Sequence, residues 1–89
     1  MLDTKIQNFQ KWILTNSTLS TRAKRDVVSR LRRAFKLSSF KFDVQLDDFL
    51  LEIRRNPNWH EIPESSRAGI ERSVRMFYRY LAESENDTV

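Results

Sequence analysis

The chain has no cysteine, one glycine and two prolines among 89 residues. Without cysteine there is no disulfide scaffold, no thiol nucleophile, no iron–sulfur cluster and no cysteine zinc site. So little glycine and proline argues against a many-turned β-sandwich or barrel, and against glycine-rich phosphate loops. No run approaches the roughly 18 apolar residues of a membrane span, and no charged-then-apolar stretch opens the chain as a signal peptide would. The length suits one domain, which would bury about 60–65% of its unfolded surface. Hydrophobic residues make up 39% and aromatics 11%. That suffices for a small core. The expectation is a soluble, intracellular, cytoplasmic and mostly helical protein.

What is present is basic charge, unevenly placed. The net charge is +4, from 16 Lys+Arg against 12 Asp+Glu. Residues 20–42 hold eight basic residues and one acid, Asp26, and sum to +7. Residues 43–64 hold two arginines and six acids and sum to −4. Charge arranged for solubility alone would mix the signs.

Four helical segments follow from apolar spacing. The first, about 3–15, carries Leu2, Ile6, Phe9 and Ile13 on one face with Trp12 beside them. Asn16, Ser17 and Thr18 end it, since all three compete for backbone bonds. The second, about 21–36, starts on a Ser20 or Thr21 cap. Its stripe is Ala23, Val27, Leu31 and Ala34, flanked by Val28 and Phe35. A connector at 38–42 reads as a short extended piece on Phe40 and Phe42. Asp43 caps the third helix, about 44–55, with Leu46, Phe49, Leu50 and Ile53 inward; Asn56-Pro57-Asn58 stops it. Residues 59–63 read as a linking loop. The fourth helix opens at Pro63 or Glu64, or on a Ser65 or Ser66 cap, and runs to about 82 on Ile70, Val74, Phe77 and Leu81. A Ser66 cap would put Gly69 in the first turn as a mild weakness. Residues 83–89 read as a flexible acidic tail outside a single domain at 1–82.

At 100° per residue, with Ala23 at zero, Arg22, Arg25, Arg32, Arg33 and Lys36 fall at about 180–280°, with Ser29 among them. Only Asp26 lies near that face. On the fourth helix, with Ile70 at zero, Arg75, Arg79 and Arg72 fall at about 140–200°. Such ridges repel themselves, and an ordinary solvated face would intersperse glutamate. The third helix instead turns Asp47, Asp48, Glu52 and Arg55 outward. Concentrated arginine suits a phosphate backbone, because guanidinium grips phosphate bidentately.

Nothing in the sequence assembles a catalytic constellation. His60 is the only histidine and has no second ligand or nucleophile spaced to meet it. Asp47 and Asp48 point about 100° apart and suit a helix start. Tyr78 and Tyr80 read as half-buried packing, Trp12 as core and Trp59 as cover for one end of it. Ser20-Thr21 and Ser65-Ser66 are caps first, where hydroxyls and free N–H groups can also hold a phosphate.

The run Leu19-Ser20-Thr21-Arg22-Ala23-Lys24-Arg25-Asp26-Val27, with Leu31 and Phe35, resembles the second helix of the core-binding (SAM-like) N-terminal domain of phage integrases and other tyrosine recombinases. Ser65-Ser66, Ile70 and Ser73-Val74-Arg75-Met76-Phe77-Tyr78-Arg79-Tyr80-Leu81 resemble that domain's last helix, and Phe9, Trp12 and Ile13 suit its first. Val27 stands where an aromatic is common, and Gly69 is unusual in the last helix. The resemblance implies a SAM-like helical bundle that binds double-stranded DNA in integration and recombination, with helices two and four across the major groove. Arg22, Arg25, Arg32, Arg33 and Lys36 would then hold phosphates, beside Ser29. Arg72, Arg75 and Arg79, with Ser65, Ser66 and Arg67, would mix phosphate and base-edge contacts. In that family the catalytic residues belong to a following domain, so this chain is expected to be no enzyme and to take no cofactor, metal or small-molecule substrate. Its partners would be duplex DNA, a catalytic recombinase domain or other recombinase subunits, at the nucleoid and not at a membrane. The alternative is a protein–protein adaptor using the basic face or the Phe40/Phe42 connector.

Overall fold

A computed structural model describes residues 2–16, 20–38 and 44–87. Its elements are α1 (Leu2–Asn16), α2 (Thr21–Leu37), α3 (Leu46–Arg55), a 3₁₀ turn (Pro57–Glu61) and α4 (Glu64–Asp87). The fold is an all-α four-helix bundle, with no strand among the described residues. The expected extended piece at 40–42 and the Asp43 cap lie outside the described residues.

The core is built on α4. Phe77, fully buried, meets Phe9 of α1 edge-on at 5.3 Å and Phe35 of α2 at 5.6 Å. Ile70 and Val74 complete the stripe, and Leu31, Phe49, Ile53 and Ile13 close around it, all buried. Such edge-to-face pairs add to the area they bury. Helices α2 and α4 share the largest interface in the bundle.

Local chemistry accounts for most of the helix ends. Ser20 caps α2, its Oγ accepting from Ala23 N at 3.2 Å. At the other end Ser38 N donates to Ala34 O, and Ser38 Oγ donates to Glu52 Oε2 at 2.8 Å, joining α2 to α3. Asn56 is a splice. Its Nδ2 satisfies the carbonyl of Leu37 at 2.9 Å, and its Oδ1 accepts from Asn58 N to start the 3₁₀ turn. Asp47 and Asp48 sit in the first turn of α3, where acids favour the positive end of the dipole.

Several expectations change. Helix α3 begins at Leu46, not 44, and its cap position is Gln45, whose side chain makes no capping bond. The expected loop at 59–63 largely belongs to a 3₁₀ turn that buries Trp59. Helix α4 begins at Glu64, as one of the expected starts has it, so Ser65 and Ser66 lie inside its first turn and are not caps. Helix α4 also runs to Asp87, past the expected end at 82, because Glu83 is held by the indole of Trp12. Tyr80 is buried rather than half-buried, since Phe9 and Trp12 close over it at 5.7 and 5.8 Å. Trp12 itself stays half-buried.

Candidate nucleic-acid interface

The basic face of α2 follows from its amphipathic pattern. Val27, Val28, Leu31 and Ala34 are buried, which fixes the rotation of the helix. The opposite side then carries Arg22, Arg25, Ser29, Arg32, Arg33 and Lys36, all exposed. On α4 the same logic buries Ile70, Ser73, Val74 and Phe77 and leaves Arg72, Arg75 and Arg79 exposed. Ser73 is the one buried polar side chain among the described residues, and its hydroxyl donates back to Gly69 O at 3.0 Å.

Among the described residues, Arg22, Arg25, Arg32, Arg33, Lys36, Arg72 and Arg75 form no ion pair. Arg79 does, reaching Glu83 Oε1 at 3.4 Å one turn along the helix. Arg54 of α3 is paired with Glu71 of α4, away from the basic face. The α3 surface shows acids to solvent at Asp47, Asp48 and Glu52. Two helices are therefore left with unneutralised cations while the third is acidic.

Three clefts separate the cations into different settings. Arg33 and Lys36 line a cavity of about 380 Å³ with Leu37, Asn58, Glu61 and Ile62. Arg67 lines one of about 290 Å³ with Trp59, Glu64, Ala68 and Glu71. Its Nε is buried and has no hydrogen-bond partner. Arg67 therefore sits among two carboxylates, apart from the ridge of Arg72, Arg75 and Arg79. Ser65 is exposed and Ser66 half-buried in the first turn of α4, where Glu64 already supplies negative charge to the helix start. The third cleft, about 90 Å³, lies between α2 and α4 and brings Arg30 and Arg72 together.

Arg30 is the residue that sequence reasoning passes over. The 100° wheel puts it at about 340°, at the edge of the buried stripe of α2 and away from the basic ridge. Its side chain is exposed, with its guanidinium end laid over Gly69 of α4. The signal that could have found it is the glycine itself, the only one in the chain, in the interior of a long helix.

His60 is exposed on the 3₁₀ turn, and no group of three or more His, Asp or Glu among the described residues is placed to hold a metal ion. No described helix is long and apolar enough to cross a membrane. Comparison with protein-family models, with curated proteins and with solved structures finds no match to this chain.

Proposed function

We propose that this chain is a double-stranded DNA-binding module, similar in plan to the core-binding domain of tyrosine recombinases, with α2 and α4 as its binding helices. The observation that carries the reading is the set of seven exposed cations on α2 and α4 without an acid partner among the described residues. Holding that much like charge together costs stability unless something anionic meets it. The phosphate backbone is an anion of matching density, and the major groove, about 12 Å wide, admits a helix.

On this reading Arg22, Arg25, Arg32, Arg33 and Lys36 bind phosphates. Arg72 and Arg75 are the candidates for a mix of phosphate and base-edge contacts. Arg79 contributes less, because Glu83 already neutralises part of its charge. A module of this size should by itself bind weakly, at about 10⁻⁴–10⁻⁶ M.

A salt titration against a random-sequence duplex tests the proposal. Several phosphate contacts require log K to fall linearly with log salt, with a slope of several units. Absence of duplex binding at about 50 mM salt would reject the reading in favour of the adaptor. Among the described residues the exposed large apolar side chains give the adaptor no focus: Leu14 and Leu51 stand on different helices, α1 and α3.

A further inference from the structure

We infer that Arg30 and Arg72 form a two-guanidinium phosphate clamp in the cleft between α2 and α4, and that Gly69 is the positioning residue that lets Arg30 lie there. The inference rests on the DNA-binding reading above but adds a site that reading does not contain. Three observations carry it.

The first is electrostatic. The other two basic cavities each contain an acid: Glu61 beside Arg33 and Lys36, and Glu64 and Glu71 beside Arg67. The α2–α4 cleft holds two arginines and no acid among the residues that line it. The rest of its lining is Ala23, Val27, Gly69 and Met76, with Ser73, whose hydroxyl already donates to Gly69 O. Two cations with no carboxylate between them are uncompensated by the protein, so an anion from outside is the fitting occupant. At about 90 Å³ the cleft is too small for a base or nucleoside but suits a single phosphate group.

The second is steric. A Cβ at Gly69 would stand 3.0 Å from Arg30 Nε and 3.2 Å from its Cδ and Cζ. The guanidinium end of Arg30 thus lies against the α4 backbone at the one position without a side chain. A Cβ there would crowd that end and force it to give way by a few tenths of an ångström or to swing aside. The third is positional. Arg30 belongs to α2 and Arg72 to α4, so one phosphate held by both would fix how the two binding helices sit on the same strand.

The test compares Arg30→Gln, Gly69→Ala, Arg72→Gln and the control Arg55→Gln. Gly69→Ala is informative because it changes no charge, and alanine is the better helix former, so the melting temperature should not fall. Arg30→Gln should weaken binding to a short random duplex roughly tenfold, the size of one charge-assisted hydrogen bond, and lower the salt slope by about one. Gly69→Ala should weaken it several-fold, while Arg55→Gln stays within about twofold of wild type. Inorganic phosphate provides a readout without DNA. The Nε–Hε NMR signals of Arg30 and Arg72 should shift together as phosphate is added, and neither Gly69→Ala nor Arg72→Gln should preserve the shift at Arg30. If wild type binds no duplex but the two signals still move together, the clamp stands and the DNA reading falls. If wild type binds duplex but Gly69→Ala binds it equally well, or phosphate moves neither signal or only one, the clamp is wrong and the DNA reading is untouched.

Discussion

The indole Nε1 of Trp12 donates to Glu83 Oε2 at 3.1 Å, joining the first helix to the last across 71 positions of sequence. Glu83 is shared, since its other oxygen faces Arg79 at 3.4 Å. One carboxylate thus anchors the end of α1, supports the extension of α4 and partly neutralises a cation on the candidate DNA face. The structural and the electrostatic roles predict opposite effects of Glu83→Ala. Losing the indole's acceptor should cost about 1–2 kcal/mol and lower the melting temperature by roughly 4–8 °C for each of them. Releasing Arg79 should tighten duplex binding at low salt. Thermal unfolding and a binding titration on the same variant check both; weaker DNA binding in a protein that remains folded would contradict the assignment of Arg79 to the interface.

Phe77 is the residue on which three helices converge, touching Phe9, Phe35 and Tyr80 with ring centroids 5.3, 5.6 and 6.1 Å away. Phe77→Ala should cost about 3–5 kcal/mol, a large part of the stability of a small domain. Denaturant unfolding should show a midpoint far below wild type, or no cooperative transition. A wild-type midpoint would place the centre of the core elsewhere on α4.

The sequence was most legible where structure is local. Ser20, three residues before the amide it caps, announces the start of α2, and Val27, Leu31 and Ala34 announce its buried side. The start of α3 was not legible, because Gln45 makes no side-chain cap and so leaves no mark in the sequence. Asn56 read as a stop signal, but its bond to Leu37 O depends on how α2 and α3 meet. The extension of α4 needed Trp12, and the burial of Tyr80 needed Phe9. Of the candidate site, the ridge residues Arg25, Arg32, Arg72 and Arg75 followed from helical periodicity alone. Arg30 did not, since its placement requires a glycine on another helix, and Arg67 was drawn instead into a cavity with Trp59, Glu64 and Glu71.

Tyr78 ties α4 to the chain entering α3 by donating its hydroxyl to Val44 O at 2.9 Å. Burial first, then the nearby charges of Glu52 and Asp48, push its phenol up from 10.0 to about 12. Each disfavours the phenolate, which could no longer donate the bond. Below pH 10 folded and unfolded chains both keep the proton, so the contribution of the hydroxyl is whole, at about 1 kcal/mol. As pH rises from 10.0 the unfolded chain loses its proton first, so stability falls until the folded phenol has also ionised near 12. The stability advantage of wild type over Tyr78→Phe should therefore hold steady below pH 10 and shrink above it. Melting curves at several alkaline pH values measure this, and a difference that grows with pH would contradict the assigned direction.

The two ridges make separable predictions. Arg25 and Arg32 are exposed opposite the buried side of α2, so changing both to Gln should leave the melting temperature within a few degrees of wild type. Duplex binding at low salt should weaken by a similar factor for every sequence tested, and the salt slope should shrink by about two, one for each phosphate no longer neutralised. Arg75→Gln should behave differently if that side chain reaches a base edge. The loss should then be about 1–3 kcal/mol on a preferred site selected from a random pool, and less on random DNA. Arg55, exposed in the last turn of the acidic helix α3, is the control for net charge. Its change to Gln removes one positive charge, so on a net-charge model it should account for about half the effect of the Arg25/Arg32 pair. On the two-ridge model it should do almost nothing. An Arg55 effect of that proportion would mean that long-range charge, rather than a face formed by α2 and α4, governs the affinity.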